Sequence, residues 1–175
     1  IPDMFLRRVT ATPDGRAFAV PTADDSSITW LTWSQVGERA KNIAAGLHSL
    51  GVRLEDRVAI LAGTRLEWVL VDLGINCAGG ATTTVYPTTE PEDAAFIVAN
   101  SGSKVLVAED PRQALKISGA DTSVTHVVLI DGLADAGATP PQLTLAELEE
   151  RGRAALTSEP DLIDNLIATV LGRRP

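Results

Sequence analysis

Four times along this chain a threonine is followed three residues later by Gln or Glu, just ahead of apolar residues spaced three and four apart. Thr32-x-x-Gln35, Thr64-x-x-Glu67, Thr89-x-x-Glu92 and Thr144-x-x-Glu147 each read as a capping box. In such a box the Thr hydroxyl accepts from the N3 amide and the N3 side chain reaches back to the Thr amide. Glycine closes the first three helical segments, at Gly51, Gly79-Gly80 and Gly102, where a left-handed backbone ends a helix at little cost. Between the helices lie short runs of apolar and β-branched residues at 57–62, 81–85, 104–108 and 125–130, read as strands. Strands that are apolar throughout must be covered on both faces. The pattern therefore predicts an α/β fold, a largely parallel sheet with flanking helices.

The details follow from the same rules. Val36, Ala40, Ile43, Leu47 and Leu50 form one helical stripe, and Leu66, Val69, Leu70, Leu73 and Cys77 another. Ile43, Leu47, Val69 and Leu73 are expected in the core. Pro91 falls in a first turn, where its missing N–H costs nothing. Asp110-Pro111 opens a short helix to about residue 118. Upstream, a helix over 4–10, a Pro13-Asp14-Gly15 turn, a strand over 17–20, a polar turn at Asp24-Asp25-Ser26-Ser27 and a β-prone run at 28–31 are expected. The organisation is then residues 1–30, an N-terminal helix and strand region; 31–130, the βα-repeating core; 131–143, a mobile Gly/Ala/Pro/Asp-rich loop; and 144–175, a helix to about 155 and a weakly patterned tail.

Charge narrows the function. The 175 residues hold 15 basic and 23 acidic side chains, net −8. That excludes a nucleic-acid binder, which needs a basic face. The acidity is concentrated late, with −1 over residues 1–87 and −7 over 88–175. The longest apolar region, 58–81, is broken by Arg65, Glu67 and Asp72, so no membrane span is expected. Arg7-Arg8 is not followed by the apolar run of a signal peptide. The chain begins at Ile1, so an incomplete N-terminus is expected. A single cysteine, Cys77, forbids an internal disulfide and suits a cytoplasmic location.

No motif of known chemistry stands out. Gly63 lies between a strand and a helix but belongs to no G-x-G-x-x-G or phosphate-binding loop, and reads as a tight turn. His48 sits near a helix C-terminus, where positive charge is favourable. His126 starts a strand, and neither histidine has a metal-ligand partner at useful spacing. Cys77 lies on an apolar helix face and reads as a small buried hydrophobe. Glu90, Glu92 and Asp93 crowd a helix start, and Glu147, Glu149 and Glu150 read as a solvated helix face.

Seven blocks in order carry a resemblance. They are Leu31-Thr32-Trp33-Ser34; Ala45-Gly46-Leu47 with Leu50-Gly51-Val52; Asp56-Arg57-Val58-Ala59-Ile60-Leu61; Arg65-x-Glu67-Trp68; Ala78-Gly79-Gly80; Val85-Tyr86-Pro87-Thr88; and Asn100-Ser101-Gly102-Ser103-Lys104-Val105. Together they resemble the N-terminal part of AMP-forming acyl-CoA synthetases, and most of all the long-chain fatty-acid–CoA ligases. The resemblance implies an incomplete N-terminal subdomain of that fold. It also implies a two-step reaction using ATP, Mg and CoA, in which a fatty acid and ATP give acyl-adenylate and pyrophosphate, and CoA then displaces AMP. Asp164-Asn165-Leu166-Ile167-Ala168-Thr169-Val170-Leu171 resembles the family's strand before its phosphate loop, with one residue too many. The loop itself, the adenine and ribose motifs and the catalytic lysine have no match, so no catalytic, cofactor-binding or metal residue carries onto any position. No cofactor is expected for this chain alone. It is expected to be inactive without a complementary C-terminal ligase fragment, marginally stable and prone to self-association through an open sheet edge. The alternative is a non-catalytic remnant or interaction module that keeps the fold.

Overall fold

The computed structural model describes residues 1–22 and 26–172; Asp24-Asp25 of the expected polar turn and the terminal Arg173-Arg174-Pro175 lie outside the described residues. Helix α1 (Pro2–Ala11) leads into an antiparallel pair, β1 (Arg16–Pro21) and β2 (Ile28–Thr32), separate from the main sheet. Helix α2 (Trp33–Ser49) follows. Trp33 fastens the pair to it: Phe18 lies 6.2 Å away, tilted, and the Arg8 guanidinium stacks over the indole at 5.3 Å.

The main sheet holds β3 (Arg57–Leu61), β4 (Ala81–Val85), β5 (Val105–Ala108), β6 (His126–Leu129) and β7 (Gln142–Thr144). All neighbours are parallel, in the order β4-β3-β5-β6-β7. The helices are α3 (Leu66–Cys77), α4 (Pro91–Ser101), α5 (Pro111–Ala114) with a 3-10 turn at Leu115–Ile117, α6 (Leu145–Ser158) and α7 (Leu162–Gly172). The chain passes from β3 outward to β4, then back past β3 to β5. Right-handed crossovers in opposite directions place α3 and α4 on opposite faces. The strands supply both cores by alternation. Val58, Ile60, Val105, Val107 and Val128 face α2, α3 and α6, whereas Ala59, Leu61, Leu106, Ala108, Val127 and Leu129 face α4 and α5. The parallel, doubly covered sheet is as the sequence predicts.

The glycine stops form as expected. The Gly51 N–H donates to His48 O and the Val52 N–H to Leu47 O; Gly79 and Gly80, and Gly102 and Ser103, repeat the pair of bonds. All three C′ glycines have positive φ, +93°, +80° and +62°.

Only two of the four capping boxes form, at Thr32–Gln35 and Thr144–Glu147. At α3 the N-cap is Arg65, because Glu67 is drawn to its guanidinium instead of reaching back to Thr64. At α4, Pro91 takes the first helical position, which moves the N-cap to Glu90. Thr89 instead donates its N–H to Tyr86 O and accepts from Lys116 Nζ at 2.8 Å.

Three further expectations are corrected. Residues 164–171, expected to extend as a strand, lie in helix α7. Leu162, Ile163 and Ile167 are buried there, and Leu166 and Leu171 pack beside them at helical spacing, next to α2 and α3. The segment 131–143 is not wholly loop: Gln142 and Leu143 begin β7, which pairs with β6 once Pro140-Pro141 has kept the backbone extended. Ile43 and Leu47 are fully buried, but Val69 and Leu73 are only partly so. The buried face of α3 is Leu70, Val71, Gly74, Ile75 and Cys77. Among the described residues no helix is long and apolar enough to cross a membrane.

Helices α2, α3 and α6 approach through glycines. A methyl on Gly46 would overlap the Leu148 carbonyl, and one on Gly74 would lie 2.5 Å from Ile43 Cγ2. Arg39 of α2 closes the α2–α6 contact by gripping both oxygens of Glu149, with Nη2–Oε1 at 2.7 Å.

Candidate functional site

The strand order reverses between β3 and β5. In open parallel sheets, ligands bind outside the carboxyl ends of the two strands at such a reversal. Here the sheet's own hydrogen bonding fixes the crevice walls. The Glu109 N–H donates to Leu61 O at 2.9 Å, the Ile130 N–H to Ala108 O at 2.9 Å and the Asp131 N–H to Glu109 O at 2.8 Å. Glu109 and Asp131 are thereby held beside the loop that follows β3.

Arg65 fills the crevice. Its backbone is extended, φ −151° and ψ 170°, immediately before α3. Its Nε donates to Glu67 Oε2 at 2.6 Å, both terminal nitrogens reach the Asp131 carboxylate, and Nη1 lies 3.6 Å from Glu109 Oε1. Hydrogen bonding to Asp131, then to Glu67, raises the guanidinium pKa against the opposing effect of burial, so Arg65 stays charged. The Gly63 N–H, which could face an anion, donates to Glu109 Oε2 at 2.9 Å. Three carboxylates around one guanidinium leave the crevice net negative. The Arg65 guanidinium and the Gly63 N–H are both engaged by these carboxylates. A hollow of about 570 Å³ flanks it, walled by Phe18, Val20, Pro21, Thr64, Leu66 and Val69.

The residues singled out from sequence are scattered about the molecule. Gly63 is the turn expected, and it adjoins the crevice. His48 is half-buried; burial lowers its pKa and Arg53 adds to that. The expected role of positive charge at the end of α2 belongs to Arg53, whose Nη1 donates to His48 O at 2.7 Å and Val52 O at 3.0 Å. His126 Nδ1 lies 3.1 Å from the Thr125 hydroxyl. Glu90, Glu92 and Asp93 sit exposed at the start of α4. Of the acids expected to form a solvated face, Glu147 caps α6, Glu150 pairs with Arg153, and Glu149 is held by Arg39 with its side chain only 13% exposed. Among the described residues no three His, Cys, Asp or Glu side chains converge to hold a metal ion.

Cys77 is buried as predicted, and burial pushes its thiol pKa up to about 12. At pH 8 the thiolate fraction falls from about a quarter for a free thiol to on the order of 10⁻⁴. An aromatic disulfide reagent should therefore label Cys77 on the order of 10³-fold more slowly in buffer than in denaturing urea. Equal rates in both would place the side chain at the surface.

A sequence model of AMP-binding enzymes matches residues 5–164. The chain belongs to the AMP-binding enzyme family. An uncharacterized protein of Mycobacterium tuberculosis, Rv1549, is 28% identical over 130 residues, which are 74% of this chain and 71% of that protein. The long-chain-fatty-acid–CoA ligase FadD15 of the same organism is 33% identical over 147 residues, 75% of this chain but only 24% of the ligase. Among solved structures, a M. tuberculosis fatty acyl CoA synthetase superposes with a TM-score of 0.67 at 24% identity, covering 87% of this chain and 28% of that one. The fold is thus part of an acyl-CoA synthetase fold, and the chain spans about a quarter of the length of the ligases it matches.

Proposed function

We propose that this chain is the amino-terminal scaffold of an ATP-dependent fatty-acid–CoA ligase and forms no acyl-adenylate by itself. The observation that carries this reading is the crevice at the sheet's reversal point, where carboxylates engage Arg65 and the Gly63 amide, in a chain that matches a quarter of FadD15. Arg65 and the Gly63 amide hold neighbouring loops in place, so neither group is available to a triphosphate. ATP, Mg and CoA would then be bound by residues beyond these, which this chain supports from below. The test is pyrophosphate exchange by the 175-residue chain with ATP and palmitate. Exchange should stay at the level of a protein-free blank, and exchange clearly above it would overturn the proposal.

The second reading is a non-catalytic module that keeps the fold. The observation behind it is the match to Rv1549 over 130 residues, 74% of this chain and 71% of that protein. Adding the remainder of FadD15 as a separate polypeptide separates the two. Restored exchange supports the scaffold, whereas a stable complex without exchange supports the module.

A further inference from the structure

Among the described residues the sheet has two outer strands, and they are built differently. Strand β7 has three residues and follows Pro140-Pro141; short length and proline both blunt an edge. Strand β4 runs Ala81-Thr82-Thr83-Thr84-Val85 in unbroken register with β3, carrying no charge, no proline and no bulge. It lacks the devices by which edge strands avoid pairing. We propose that β4 is a self-association edge: two copies of this chain pair β4 against β4, antiparallel, about a two-fold axis through Thr83.

The strand is complementary to itself. That axis sets Thr83 opposite Thr83, Thr82 opposite Thr84 and Ala81 opposite Val85, and cross-strand threonine pairs are favourable. The charges also match. A two-fold axis normal to the sheet keeps like faces together, so α4 of one copy runs antiparallel to α4 of the other. The start of α4 carries Glu90, Glu92 and Asp93, exposed and, among the described residues, in no ion pair. Its end adjoins Arg57, whose Nε donates to Ser101 O at 2.6 Å and whose charge also acts on the Asp56 carboxylate at the start of β3. Each acidic, dipole-positive helix start thus meets the basic, dipole-negative end of its neighbour.

Sedimentation of the 175-residue chain at about 100 µM tests this. The unmodified chain should be a dimer. Thr83→Lys and Thr83→Glu, each checked for folding by far-UV circular dichroism, should be monomers, because like charges meet on the axis. An equal mixture of the two should dimerise again. A monomeric unmodified chain, a dimeric charged variant or a mixture that stays monomeric would each overturn the proposal. Thr83→Cys provides a check that introduces no charge. Facing strands hold Cα atoms about 4.5–5.5 Å apart, within disulfide range. Mild oxidation should therefore cross-link two copies through residue 83 while buried Cys77 stays reduced, and a chain that does not cross-link refutes the pairing.

Discussion

Replacing Gly152 with alanine should destabilise the chain by about 3 kcal/mol or more, at the upper end of what overpacking costs. The added methyl would overlap the Asn42 carbonyl oxygen, lie 2.6 Å from Asn42 C and stand 2.8 Å from Gly46 N. All three are backbone atoms of α2, so no side-chain rotation relieves the clash. The helices can only part, and Leu145 and Leu148 of α6, now 4% and 0% exposed, would lose their packing on α2. The Arg39–Glu149 grip would stretch with them. Urea denaturation measures the effect as a lower midpoint at unchanged slope. Gly172, around which a methyl meets nothing within 4 Å, is the matched control, and Gly172→Ala should stay within about 0.5 kcal/mol. A Gly152→Ala chain as stable as that control would show that α2 and α6 do not touch.

The second large effect is expected at Leu106, on the central strand β5. It is fully buried in the core beneath α4 and α5. Leu106→Ala removes three carbons from a site with strands on both sides and short helices above, which leaves little room to collapse. The cost should be about 4 kcal/mol, within the range of buried leucine truncations. Leu73→Ala, at the half-buried rim of α3, should cost less than half of that. Equal shifts in denaturation midpoint for the two variants would contradict the burial described.

What was legible in the sequence is what neighbours along the chain decide. Strand β4 was expected at residues 81–85 and lies there, and Gly51, Gly79 and Gly102 end their helices as their positive φ requires. The misreadings occur where a distant group outbid a local one. Thr64 lost its box because Glu67 pairs with Arg65, whose guanidinium is held in the crevice by Asp131, 66 residues away. Glu149 left the solvated face for Arg39, 110 residues away. Strand β7 escaped notice because three residues after two prolines carry no period, and only β6 makes them a strand. The segment at 164–171 was matched by residue identity, although Ile163 and Ile167, four apart and both buried, already held a helical period. The crevice was invisible for a related reason. Its location depends on strand order, which no local pattern encodes, although Arg65-x-Glu67 is one of the blocks that carry the resemblance.

The contact between α2 and α6 also has a consequence in time. The strands and helices from β3 to β6 span residues 57–129 and are joined by neighbouring contacts. Such local structure assembles early. Helix α2 precedes all of it, yet its glycine face waits for α6, more than a hundred residues later. During synthesis, the first helix of the core is made early and covered late. Its face at Asn42 and Gly46, which seats Gly152 and Leu148 of α6, is the part of the nascent chain most in need of protection until residue 158 has left the ribosome.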